Sequence, residues 1–175
     1  MPATRKPRLG ISACLLGRRV RWDGGHRRDA FCAEVLDPLV EWVPVCPEVE
    51  LGLGIPRPPI RLTGRSEAPR LVVDGSGEDL TARMQAFAEA RVEALVALDL
   101  SGWITKRDSP SCGMAQVPVH DPRGGPAVRD GVGAFLRVLM ARLPHLPVEE
   151  EGRLADPLLR ERFMARVLDR ARRAP

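Results

Sequence analysis

Short apolar runs, each closed by turn-forming residues, mark several stretches of the chain. Leu9–Leu16 ends at Gly17, Val40–Val45 leads into Pro47, Leu71–Val73 ends at Asp74-Gly75, and Trp103–Thr105 ends at the polar stretch Lys106–Ser109. Runs of this length with such boundaries predict buried parallel strands. Elsewhere the period becomes helical. Across Asp79–Leu98, the residues Leu80, Met84, Phe87, Val92, Leu95 and Leu98 fall near one face, with Asp79 as N-cap. Val132, Phe135, Leu136, Leu139, Met140 and Leu143 line a second helix, stopped by Pro144. Asp156-Pro157 supplies N-cap and first helical position for a last helix through Arg173, with Leu159, Phe163 and Val167 as its stripe. Strands alternating with helices predict an α/β fold: a single domain with a largely parallel sheet flanked by helices, Rossmann-like.

The chain has 175 residues, enough for one full core and short for two. Residues 8–175 are expected to form that single domain, and the basic, Pro-containing residues 1–7 to be flexible. Gly54–Pro69, rich in Pro, Gly and Arg, reads as a long functional loop. No apolar run is long enough to span a membrane and no apolar signal core follows the basic N-terminus, so a cytoplasmic protein is expected. The net charge of +4 raises the question of nucleic acid. Against it, acidic residues are interspersed throughout, nearly all the basic residues are Arg, as GC-rich coding produces, and no aromatic platform is present. Nucleic acid therefore ranks as a disfavoured partner. The last helix carries Arg160, Arg162, Arg166, Arg170, Arg172 and Arg173, read as a solvated face or as a contact for nucleic acid or a partner domain.

Four cysteines in an intracellular chain point to metal or a reactive thiol rather than to disulfides. None are spaced as CxxC, which disfavours a zinc ribbon. Cys14 lies near the end of the first strand, Cys46 at the end of the second, and Cys112 in a Ser-Pro-Ser-Cys-Gly turn after the fourth. Open α/β sheets bind ligands beyond the carboxyl ends of their strands, so these three can meet there. Cys32 instead falls in the helical turn Asp29–Leu36 and reads as a small core hydrophobe. Three thiolates around a [4Fe-4S] cluster would leave one iron without a cysteine ligand, open to a soft sulfur atom. From position alone, three independent buried cysteines remain an equal alternative.

The flanking residues add chemistry. Glu48, two residues past Cys46, is placed to move protons or activate water, or else is a solvated loop acid. Ser109 and Ser111 precede Cys112 and would orient substrate, bond to cluster sulfur, or simply build the turn. Ser12, Asp23 and Ser111 are candidate substrate-lining residues, although Asp23-Gly24-Gly25-His26 also suits a hairpin turn. Arg57 and Arg61 are read either as substrate contacts or as a solvated face. The three histidines show no ligand pairing, and the glycines around Gly52–Gly54 lack a nucleotide-binding spacing.

The segments Ile11-Ser-Ala-Cys-Leu-Leu-Gly17, Val20-Arg-Trp-Asp-Gly-Gly-His26, Val45-Cys-Pro-Glu-Val49, Pro56-Arg-Pro-Pro59 and Ser109-Pro-Ser-Cys-Gly113 together resemble the bacterial thiouracil desulfurase family, in order and in rough spacing. The resemblance covers about Arg8 to Leu143. It implies an α/β fold and a [4Fe-4S] cluster on Cys14, Cys46 and Cys112, with one iron not ligated by cysteine. It also implies non-redox, hydrolytic desulfuration of a small thiouracil-like compound, releasing hydrogen sulfide. Glu48 matches the family glutamate and is expected to transfer protons; Ser109 matches the family serine and is expected to position substrate. Two other readings stand beside this one: cluster-based sulfur transfer to tRNA or a metabolite, and a non-enzymatic iron–sulfur sensor or accessory module. Asp108 stands where the family usually has a basic residue, which bears on substrate choice. Pro147–Leu154 resembles a subgroup that often carries a further C-terminal domain, and such a domain is not in this sequence.

Overall fold

The structure, a computed structural model, describes residues 5–173. Residues 1–4, part of the segment expected to be flexible, lie outside the described residues. The first strand β1, Arg8–Ser12, closes with a 3-10 turn over Ala13–Leu16 and Gly17 in the left-handed region. A single π-type turn at Phe31–Leu36 and a 3-10 turn at Asp37–Leu39 lead to β2, Glu41–Val45, followed by the one-turn helix α1, Pro47–Glu50. Then come β3 (Ile60–Arg65), β4 (Ala68–Val73), α2 (Thr81–Val96) and β5 (Gly102–Thr105). The remainder is β6 (Val117–His120), β7 (Val128–Gly131), α3 (Ala134–Arg142), β8 (Val148–Glu150) and α4 (Pro157–Arg173).

The strands form two sheets. The first has the order β2-β1-β5-β8 with every pairing parallel. The second has the order β4-β3-β6-β7 and is mixed: β3 pairs β6 in parallel, while β3–β4 and β6–β7 are antiparallel. The expectation of a largely parallel sheet therefore holds for the first sheet. It does not hold for Leu71–Val73, which is the end of an antiparallel hairpin strand in the second. The 54–69 segment, expected to be one long loop, contains β3: buried Ile60 and Leu62 flank exposed Arg61, and pairing with β4 holds the strand in register.

Alternation along the first sheet divides the core. Leu9, Ile11 and Ile104 pack with Leu36, Phe163 and Val167, so α4 and the Phe31–Leu36 turn cover one face. Trp103 and Val45 point the other way, into a cluster with Met84, Val92 and Leu95 of α2, Phe135 and Leu139 of α3, and Leu62 and Val119 of the second sheet. Gly10 is required between them, because a Cβ there would lie 1.9 Å from the Trp103 ring. The cap of α2 differs from expectation. Leu80 occupies the cap position, and Asp79 Oδ1 accepts the Thr81 N–H at 2.9 Å from one residue earlier. Asp156 caps α4 as expected, accepting the Leu158 N–H at 2.8 Å. No helix among the described residues is long and apolar enough to cross a membrane.

Candidate functional site

Three neighbouring strands of the first sheet, β2, β1 and β5, end at one rim and deliver the three cysteines to it. Cys14 sits in the 3-10 turn that closes β1. Cys46 follows β2 directly and is the N-cap residue of α1, with Pro47 at the first helical position fixing the turn. Cys112 lies in the loop after β5. All three, together with Ser12, Glu48, Ser109 and Ser111, line one cavity of about 320 Å³. Asp23 does not line it. Its exposed carboxylate accepts the Gly25 N–H at 2.9 Å and lies 3.6 Å from Arg21, so the Asp23–His26 segment is a side-chain-closed turn rather than a hairpin. His26, His120 and His145 are absent from the lining, and Cys32 is fully buried in the core beside α4.

Glu48 is not a solvated loop acid. Arg57 donates to its Oε2 from Nε at 2.9 Å and from Nη2 at 2.7 Å, and both side chains are largely withdrawn from solvent. The same guanidinium donates to the carbonyls of Gly54 and Val20. Cys46 Sγ also points at Val20 O, at 3.7 Å. Arg57, read in sequence as substrate contact or solvated face, is not a solvated face; it lines the cavity, ties α1 to two loops and leaves Glu48 Oε1 facing the serines. Arg61 is on β3, half exposed and paired with Asp74.

The serines form a directional chain. Ser111 Oγ donates to Glu48 Oε1 at 2.8 Å. Ser109 and Ser111 hydroxyls are 3.2 Å apart, and Ser109 Oγ accepts the Cys112 N–H at 3.0 Å. With the Ser111 proton committed to Glu48, Ser109 is the donor in the pair. Ser111 is thus the immediate neighbour of the carboxylate, and Ser109 is one bond further along.

Burial pushes the Cys14 thiol up to about 11, and the nearby Cys46 adds to this, while Lys106 and Arg21 act against it. Burial takes Cys112 up to about 12, opposed by the neighbouring Ser111 and Ser12 hydroxyls and reinforced by Cys46 and Glu48. Cys46 is raised by burial and eased by the Val49 and Glu48 N–H groups of α1. Cys46 is therefore within electrostatic reach of both other thiols. Thiolates here need a cationic partner to offset their desolvation. Among the described residues, no three His, Cys, Asp or Glu side chains gather closely enough to chelate one ion. Three soft donors spread around a cavity, with backbone N–H groups of α1 beside Cys46 and hydroxyls beside Cys112, suit a multi-iron cluster better than a mononuclear centre.

The family model of the 2-thiouracil desulfurases matches residues 9–151. This chain belongs to that family. Among solved structures, the [4Fe-4S]-dependent thiouracil desulfidase TudS matches with a TM-score of 0.69 and 30% identity, over 88% of this chain and 97% of that one. Among curated proteins, the uncharacterized protein YbbK of Bacillus subtilis (strain 168) is 31% identical over 108 residues, which is 59% of this chain and 71% of YbbK. The desulfurase match ends at Glu151, the first residue past β8, so it takes in the whole cavity lining.

The partners of two lining residues were not legible in sequence. Lys106 reaches the cavity while its Nζ is held by Glu151 Oε1 at 2.6 Å and by Arg107 O. Asp108, read in sequence as bearing on substrate choice, is bonded to Arg129 of β7 and lies 4.0 Å from Arg107. Its charge is therefore spent on the rim instead of facing the thiols alone.

Proposed function

We propose that this desulfurase-family chain binds a [4Fe-4S] cluster through Cys14, Cys46 and Cys112 and removes sulfur from a small thiocarbonyl compound of the thiouracil type. The observation that carries this reading is the convergence of those three thiols with the Glu48–Ser111–Ser109 chain on one cavity. Bound there, the cluster would supply an iron without a fourth thiolate, a soft Lewis acid for the substrate's sulfur.

The chain's own residues supply the rest. In the net reaction C=S and water become C=O and hydrogen sulfide, so one water must lose protons and the departing sulfur must gain them. Glu48 Oε1 takes the first proton, since Oε2 is occupied by Arg57. Ser111 and Ser109 extend the acceptor toward the Cys112 end of the cavity, and a proton can pass along hydroxyls already in hydrogen-bond contact. Arg57 fixes the carboxylate so that its free oxygen stays aimed at the serines. Ser109, held by the Cys112 N–H, presents its remaining lone pair to substrate. Exposed Trp22 lies on the cavity lining, which gives a planar base a route in from solvent.

The test is anaerobic reconstitution with iron and sulfide, then incubation with thiouracil while free sulfide is followed. About four irons per chain with sulfide release establishes cofactor and reaction. Cluster formation without release moves the reading to sulfur transfer or to a sensor. No cluster formation overturns it.

A further inference from the structure

The loop from Lys106 to Ala115 carries Ser109, Ser111 and Cys112, and its two kinds of backbone group are fixed by different parts of the molecule. Its carbonyls face α3. The N–H groups of Ala134, Phe135 and Gly133 donate to the carbonyls of Pro110, Ser111 and Gly113 at 2.8–3.0 Å, and Thr105 Oγ1 donates to Cys112 O. Its N–H groups at Arg107, Met114 and Ala115 face the end of β8 and the residue after it. Glu150 Oε1 accepts the N–H of Met114 at 3.0 Å and of Ala115 at 3.3 Å. Glu151 Oε2 accepts the N–H of Arg107 at 2.8 Å, while its Oε1 holds Lys106 Nζ. Glu150 is buried, and its carboxylate accepts from these two backbone N–H groups. A buried carboxylate that spends itself on backbone donors is costly unless those donors stay in place, so it strongly favours one loop conformation.

We propose that Glu150 and Glu151 are positioning residues for the cluster site: they pin the two ends of the Lys106–Ala115 loop so that Cys112 and the serines meet Cys46 and Glu48. Glu151 does a second thing, holding the Lys106 ammonium at the cavity lining at 2.6 Å. The third acid of the run, Glu149, takes no part; it accepts from Arg153 at 2.7 Å and from the Glu150 N–H. The inference rests on the reading of Cys112 as a cluster ligand.

The test compares Glu150→Gln, Glu151→Gln and Glu149→Gln with the parent chain after anaerobic reconstitution. Amide hydrogen exchange reads the loop, and transfer of iron to a chelator reads cluster retention. Replacing a charge-assisted acceptor by a neutral amide is expected to speed exchange about tenfold at Arg107 in Glu151→Gln, and at Met114 and Ala115 in Glu150→Gln. Iron transfer is expected to speed about tenfold alongside, with exchange in α2 and α4 and the behaviour of Glu149→Gln unchanged. Glu151 is the less buried of the pair, so its variant decides the matter if Glu150→Gln does not fold. Unchanged loop exchange overturns the proposal. So does faster loop exchange without faster iron loss, and so does a rise spread over α2 and α4. If the parent itself takes up no iron, the proposed function fails, and the exchange measurement still decides whether the glutamates pin the loop.

Discussion

Cys112 and Cys32 are both buried thiols, and burial raises both, yet their surroundings have opposite character. Cys112 has a hydroxyl within 3.6 Å, a carbonyl bonded to Thr105, an N–H bonded to Ser109, and a second thiol near enough to disfavour its ionisation. Cys32 lies in an apolar cluster with Leu15, Leu36, Val40 and Phe163; the one ionic group acting strongly on it is Asp29, which caps its N–H and makes a thiolate still less favourable. Burial alone therefore says nothing about which cysteine does chemistry. What differs is whether polar groups that can donate to a negative sulfur stand beside it.

The largest break in the comparison comes from removing the thiol at the cavity. Cys112→Ala is expected to drop iron uptake from about four per chain to near zero, measured by iron and sulfide analysis after reconstitution. Equal retention in Cys112→Ala and in the parent would erase the distinction between the two regions.

Glu48→Gln comes next. Removing the proton acceptor is expected to lower turnover by roughly 10²–10⁴-fold while iron content stays at the parental level. It also strips a buried guanidinium of its carboxylate, and losing one member of such a pair costs about 3–5 kcal/mol of stability, read by urea unfolding. Arg57→Lys keeps the charge and loses the fork, so it should fall between parent and Glu48→Gln in both readouts.

Gly133→Ala probes the same wall from the side of α3. A Cβ at Gly133 would stand 2.5 Å from the Ser111 carbonyl carbon and 2.6 Å from the Cys112 nitrogen. Backbone cannot swing aside as a side chain does, so the loop must shift, at roughly 1–3 kcal/mol. A lower unfolding midpoint together with faster iron loss is expected. A lower midpoint with unchanged iron loss would show that the Cys112 loop tolerates displacement.

The contrast between the cysteines was legible in sequence because it lies in neighbours a few residues away. Ser109-Pro-Ser-Cys-Gly113 announces a polar turn, and the apolar spacing around Cys32 announces a packed helical turn. The strands β1, β2 and β5 and the three long helices were legible for the same local reason. The second sheet was not. β3 follows Pro58-Pro59 and holds Gly64, and its buried residues are only Ile60, Leu62 and Thr63, so the breakers hid a short alternation that pairing with β4 and β6 stabilises. β8 is three residues long, and two of them are glutamates. Carboxylates at the end of a strand look like solvent-facing residues until the Lys106–Ala115 loop folds over them. Arg57 and Ser111 illustrate the same limit. Each was visible as a residue, but the partners that define them, Glu48 for both, come from another segment, and for Ser111 the separation is sixty-three positions.

The smallest effect sharpens the comparison most. Cys32→Ala deletes one buried sulfur and leaves the Asp29 cap, whose acceptor bond is to the backbone N–H, in place. The expected cost is about 1 kcal/mol, the loss of a single heavy atom's burial and contacts with partial collapse of the space. Iron uptake, cluster absorbance and turnover should all match the parent. The Phe31–Leu36 turn packs on β1, α4 and the back of the Cys14 turn, and Cys112 is not in that cluster, so a destabilisation of that size has no direct route to Cys112. Measured together, unfolding and iron content separate the two kinds of thiol: one variant changes stability slightly and cofactor not at all, the other changes cofactor completely. If Cys32→Ala also lost iron, the core cysteine would have to exchange into the site, and a π-type turn at Phe31–Leu36 would be the segment that lets it do so.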